Sequence, residues 1–146
     1  MTRWLGIDYG RRRIGLALSD PGGRIASPLM TLPGRGTARD DAEAITRLAS
    51  EHEATGIVIG LPLNMDGSLG PQAKLSTTLA EQIRRHEELA VELWDERLSS
   101  FHADQLMQSA GLSATRRKEQ RDALAAQVIL QSFLDARRAD VKPADG

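Results

Sequence analysis

The chain opens with a short apolar run from Trp4 to Tyr9, a Gly10-Arg11-Arg12 turn, and a second run from Ile14 to Leu18. That pattern predicts a hairpin of two strands. Ser19-Asp20-Pro21-Gly22-Gly23 is dense in turn residues. Ile25 to Leu32 predicts a third strand, and because Pro28 has no amide donor it belongs at a sheet edge or carries a bulge. The period then changes. Thr37 with an acid three residues on at Asp40 marks a helix start, and Ala38, Ala42, Ile45 and Ala49 recur at helical spacing with Leu48 beside them. Ile57-Val58-Ile59 is continuous and β-branched, as suits a central strand covered on both faces. Gly60 to Gly70 predicts a loop, and Pro71 fits the first position of a second helix, on which Leu75, Leu79 and Ile83 repeat every four residues. Val91, Leu93 and Asp95 alternate with Glu92 and Trp94, giving a strand. Ser99 or Ser100 is placed to cap a third helix that Gly111 would end. A last helix, from near Lys118 or Asp122 to Arg138, carries the stripe Ala126, Ile129, Leu130, Phe133 and Leu134.

A strand meander followed by helix–strand alternation implies an α/β fold, a mixed five-stranded sheet with helices on both faces. One domain is expected over residues 1–138, with a polar tail at 139–146. A length of 146 residues suits this. A chain of that size buries roughly 70% of the surface it exposes when unfolded. It has no cysteine, which excludes a thiolate metal site and a cysteine nucleophile. No apolar stretch approaches the roughly 20 residues that span a bilayer, and the N-terminus reads as a strand rather than a leader. The expectation is a cytoplasmic protein with no membrane partner.

Net charge is uninformative, with 19 basic and 20 acidic residues, but the basic residues are clustered. Arg11 to Arg13 form one run, Arg84 to His86 another, and Arg116, Arg117, Lys118 and Arg121 a third. Such patches track a phosphate backbone or are simply solvated faces. Three acids stand in unusual places. Asp8 lies within the first strand, on the face of Trp4 and Gly6; a carboxylate there is paired with a following arginine or functional. Glu96 ends the last strand, where α/β proteins commonly place sites and where an exposed terminus beside Arg97 is the plainer reading. Asp122 lies one turn before Ala126 on the core-facing stripe, near the expected helix start, where the dipole alone would favour an acid by roughly 0.3–1 kcal/mol. If the three converge, two unit charges about 4 Å apart repel by roughly 4 kcal/mol at an effective dielectric near 20. Carboxylate oxygens with open positions suit magnesium or manganese, and two such ions can clamp both oxygens of a phosphoryl displacement. His52, His86 and His102 are scattered and read as surface residues.

Four segments together resemble the YqgF/RuvX family: Leu5-Gly-Ile-Asp8-Tyr-Gly-Arg-Arg-Arg13 and on to Asp20, Gly60-Leu-Pro-Leu-Asn-Met-Asp66-Gly-Ser, Asp95-Glu-Arg-Leu-Ser-Ser100, and Asp122-Ala-Leu-Ala-Ala126. The resemblance runs from Leu5 to about Leu134. Members are described as Holliday junction resolvases and as nucleases maturing the end of precursor 16S ribosomal RNA. The resemblance implies a ribonuclease H-like fold and a hydrolase that cuts phosphodiesters. It implies that Asp8, Glu96 and Asp122 hold two Mg2+ or Mn2+ ions. It places Arg13 and Arg97 on phosphates and Lys118 just before the third acid, in the basic group with Arg116, Arg117 and Arg121. Arg12 stands where lysine is frequent in the family, and Ser99-Ser100 where threonine is usual. The preferred partner is precursor rRNA. Branched DNA is the alternative, and would call for a homodimer to cut two strands. Two other classes stay open. A single Asp-x-Gly hairpin also resembles the phosphate loop of two-domain actin-like ATPases and sugar kinases, and a non-catalytic nucleic-acid-binding module is the other. The module reading sits poorly with three retained acids.

Overall fold

The structure, a computed structural model, describes residues 2–86, 88–99 and 114–140, apart from the side chains of 114–119 and 139–140. Five strands form one sheet: β1 (Trp4–Tyr9), β2 (Arg13–Ser19), β3 (Ala26–Pro33), β4 (Gly56–Leu61) and β5 (Ala90–Asp95), in the order β3-β2-β1-β4-β5. β1 is central, antiparallel to β2 and parallel to β4, and β4 is parallel to β5. The sheet is therefore mixed, as the meander and alternation require.

Helices α1 (Ala38–Glu51) and α2 (Pro71–Arg84) cover one face. Their Ile45, Ala49, Leu79 and Ile83 pack on Leu5, Ile7, Ile14, Leu16, Ile57 and Ile59. The long helix α3 (Ala114–Asp140) covers the other, setting Ala126, Leu130, Phe133 and Leu134 against Trp4, Ala17 and Val58. Strict alternation along β1 splits it between the two cores, Leu5 and Ile7 to one side and Trp4, Gly6 and Asp8 to the other. Phe133 meets Trp4 edge-on at a centroid distance of 4.7 Å. Among the described residues no helix is long and apolar enough to cross a membrane.

Local chemistry explains several boundaries. Thr37 accepts from the Asp40 amide at 3.1 Å, capping α1, and Pro71 opens α2 behind Gly70. β3 is an edge strand, and its register with β2 slips between Leu16 and Ala17, whose partners are Met30 and Pro28. The missing Pro28 amide thus meets both an edge and a bulge. Three expectations need correction. α3 starts at Ala114, earlier than Lys118 or Asp122, because no Gly or Pro interrupts the run from Ala114 onward. Asp122 is accordingly two turns inside the helix, and the end dipole does not account for it. Leu75 is 36% exposed, and Ala73, Ser76 and Ala80 pack in its place because a close helix–sheet seam takes small residues. The expected helix after Ser100 lies outside the described residues. Ser99 itself closes a short 3-10 turn (Glu96–Leu98), its amide and hydroxyl both donating to the Glu96 carbonyl at 3.0 Å.

Candidate active site

Asp8 sits near the C-terminal end of the central strand, facing α3. The positions beside it in the sheet are glycines. Gly15 is its cross-strand partner on β2. On the other side the pairing of Ile7 with Ile59 makes Gly60 the next residue along β4. A Cβ on Gly15 would stand 1.9 Å from the backbone oxygen of Asp122 and 3.0 Å from its Cβ. A Cβ on Gly60 would stand 2.6 Å from Ile129 Cδ1 and 3.0 Å from the Glu96 carboxyl carbon. Each glycine thus vacates the volume that a second acid fills. Gly15 lets α3 approach until Asp122 lies over β2, and Gly60 lets Glu96 fold back from the end of β5.

The electrostatics follow. Burial, with repulsion from Asp122 added, pushes the Asp8 carboxyl up to about 6. Burial, then repulsion from Asp8 and Asp95, pushes Glu96 up to about 7. Neither side chain has a hydrogen-bond donor or cation partner among the described residues. Asp122 differs, since Arg13 Nε reaches its Oδ2 at 3.1 Å. Three acids distant in sequence therefore meet around Asp8, but not as a closed cage. Among the described residues no three acidic or histidine side chains are close enough to share one ion.

The donor set fits a hard divalent cation. It is all carboxylate oxygen, and Asp8 and Glu96 carry charge that nothing else described offsets. Asp122 would join them by leaving Arg13.

The other expected site residues fall into two groups. Arg13 stands at the acids, its side chain 60% exposed, and Arg121 is exposed on α3. Lys118, Arg116 and Arg117 lie in the first turns of α3, and their side chains are outside the described set. Arg97 is turned toward Asp95, its Nε and Nη2 at 3.0 and 2.7 Å from Oδ2, with Nη1 donating to the Met65 carbonyl oxygen at 3.3 Å. One buried acid escaped the sequence reading. Asp41 is 4% exposed and accepts from the Tyr9 hydroxyl and the Arg35 amide. Its place on the Ile45 and Ala49 face of α1 was the available signal.

Comparison with known proteins gives the family and the fold. The family model for RuvX, described as Holliday junction resolvase, matches residues 2–136. A Myxococcus xanthus (strain DK1622) protein named "Putative pre-16S rRNA nuclease" is 44% identical over 146 residues, covering 98% of this chain and 96% of the relative. An Anaeromyxobacter sp. (strain K) protein of the same name is 47% identical over 135 residues, covering 92% and 98%. In fold the chain is similar to T. thermophilus RuvC in complex with Holliday junction substrate, with TM-score 0.62, 17% identity, and 98% and 99% of the two chains covered. The Fowlpox virus resolvase bound to Holliday junction DNA is another such neighbour, at TM-score 0.57 and 8% identity over 92% and 98% of the chains. Sequence motifs, sheet order and family match coincide, and the chain belongs to the RuvX family.

Proposed function

We propose that this protein is a metal-dependent nuclease that hydrolyses a phosphodiester in 5′-end maturation of pre-16S rRNA, acting in the cytoplasm during ribosome biogenesis. The observation that carries the reading is the pair of glycines beside Asp8, which bring Glu96 and Asp122 onto the same strand end. A fold has no stability reason to gather carboxylates whose burial and mutual repulsion raise their proton affinity.

Asp8 and Glu96 are the residues that would hold Mg2+ or Mn2+, with Asp122 completing the set. When bound, such ions supply charge to activate water and to stabilise the phosphorane-like transition state. The chain's own groups do the rest. Arg13 reaches Asp122 in the free protein, and an arriving phosphate oxygen competes with that carboxylate for the same guanidinium. Arg121, with Arg116, Arg117 and Lys118 nearby on α3, extends the positive surface along the bound strand. The expected product end is a 5′-phosphate. The family description, Holliday junction resolvase, supports a second reading, cleavage of four-way DNA, which would call for a homodimer to cut two strands.

The test is cleavage of precursor 16S rRNA and four-way DNA side by side, with Mg2+, with Mn2+ and with chelator, for wild type, Asp8→Asn and Glu96→Gln. Metal-dependent cutting of the RNA by wild type, lost in both variants, is expected. Cutting of the DNA alone supports the second reading. No cutting of either substrate, or a Glu96→Gln rate equal to wild type, overturns the assignment.

A further inference from the structure

The connection between β4 and α2 is a built turn. Asn64 donates its amide to the Ser68 carbonyl at 3.0 Å, and Gly67 donates back to Asn64 at 2.8 Å with φ +87°. The Ser68 amide donates to the Asp66 carboxylate at 3.0 Å. Arg97 then fastens this turn to the end of β5. Its Nη1 holds the Met65 carbonyl while Nε and Nη2 hold Asp95, so the latch brackets Glu96 in the chain. A Cβ on Gly67 would touch the same guanidinium, at 3.7 Å from Nη1. At the tip, Met65 is 92% exposed.

An apolar side chain standing almost wholly in water, on a turn tied down at both ends, contributes nothing to the core. We propose that Met65 is a nucleobase contact at the cleavage site, and that Arg97 is the positioning residue that holds it there. The proposal rests on the nuclease reading above. Asp66, next in the chain and also exposed, repels a phosphate, so what approaches this tip is the base and not the backbone. A polarizable thioether packs well on a base face, and methionine serves elsewhere as an apolar wedge between bases. A protein partner needs roughly 800 Å² on each side, far more than one projecting methionine presents. In this proposal Arg97, held by Asp95 and the Met65 carbonyl, acts through the turn.

Steady-state kinetics and 2-aminopurine fluorescence on precursor RNA, labelled beside the cleaved bond, test this. Met65→Ala is expected to raise KM about tenfold with kcat little changed, and to abolish the fluorescence change on binding in chelator. Met65→Leu should restore both. Arg97→Gln should raise KM by the same factor as Met65→Ala, and the double variant no further, because both act through one contact. An unchanged KM and fluorescence response in Met65→Ala, with wild type cutting normally, overturns the proposal while leaving the nuclease reading intact. Fully additive effects of the two substitutions overturn the role of Arg97. A wild-type protein that neither cuts nor binds RNA removes the nuclease reading and this contact with it.

Discussion

Replacing Asp8 should make the metal-free protein more stable, the reverse of what loss of a buried hydrogen-bonded acid does. Its carboxyl is moved from 3.8 to about 6 by burial first and Asp122 second. A proton affinity raised that far corresponds to about 3 kcal/mol. The sign follows from proton binding. Between the unfolded and folded values the native state holds more protons, so this contribution favours folding at low pH and is lost as pH rises through 4 to 6. Near pH 8 the wild type carries the full cost of about 3 kcal/mol, and near pH 4 only about half a kcal/mol. Asp8→Asn removes it. Repulsion from Asp122 is the smaller part of this figure, and some of it is screened by solvent. A gain of about 1–3 kcal/mol is therefore expected near pH 8, seen as a melting point higher by about 3–9 °C. Urea unfolding in chelator across that pH range is the assay. Saturating Mg2+ should raise wild-type stability and leave the variant unchanged, since only the wild type binds the ion tightly when folded. A variant less stable than wild type near pH 8 in chelator would refute the reasoning, because it would mean that the carboxylate is held by a partner.

The two glycines should respond differently to alanine. Gly15→Ala drives a Cβ into the Asp122 backbone oxygen, which cannot turn aside, and should cost about 3 kcal/mol or more in thermal unfolding. Gly60→Ala meets only side-chain ends and should cost about 1 kcal/mol, yet cleavage should drop because Glu96 is displaced. Burial, then the hydrogen bond to Asp41, raises the Tyr9 hydroxyl well above the ordinary tyrosine value. Since Tyr9 is the chain's single tyrosine, tyrosinate absorbance reads it alone. Stability should fall as pH rises above about 10, and Tyr9→Phe should lose that alkaline sensitivity. RNA affinity should fall steeply between low and moderate salt, with a slope reduced by about 1 in Arg121→Gln. Filter binding at several salt concentrations checks it, and a flat profile would remove the basic surface of α3 from the interface.

The sheet was largely legible because its signals are local. Pro28 announces an edge, Thr37 and Pro71 announce helix starts, and the run Ile57-Val58-Ile59 announces a central strand. The position of Asp8 on the α3 face also follows from strict alternation along β1. What the sequence hid depends on contacts between distant segments. A glycine in a strand does not say that a helix carbonyl lies where its side chain would be. The basic run at Arg116 to Arg121 straddles the expected helix start, and only the structure carries the helix through all of it. Arg97 looks like a free cation beside an acid, and only the folded turn shows the Met65 carbonyl in its reach. The helical spacing of Asp41 from Ile45 and Ala49 hints at burial, but its partners, Tyr9 and Arg35, lie outside its own helix and stay hidden.

Helix α3 carries Asp122 and, on the same stripe, the residues that fill the core against Trp4. Chemistry and packing are thus geared to a single screw. Adding or deleting one residue between Asp122 and Ala126 would rotate the acid by about 100° relative to everything after it. The same shift would carry the Gly15 notch past its seat, so no compensating slide is open to the helix. Length changes are then compatible with this fold in the connections and tails, whereas the spacing from the acid to the aromatic cluster is fixed to the residue.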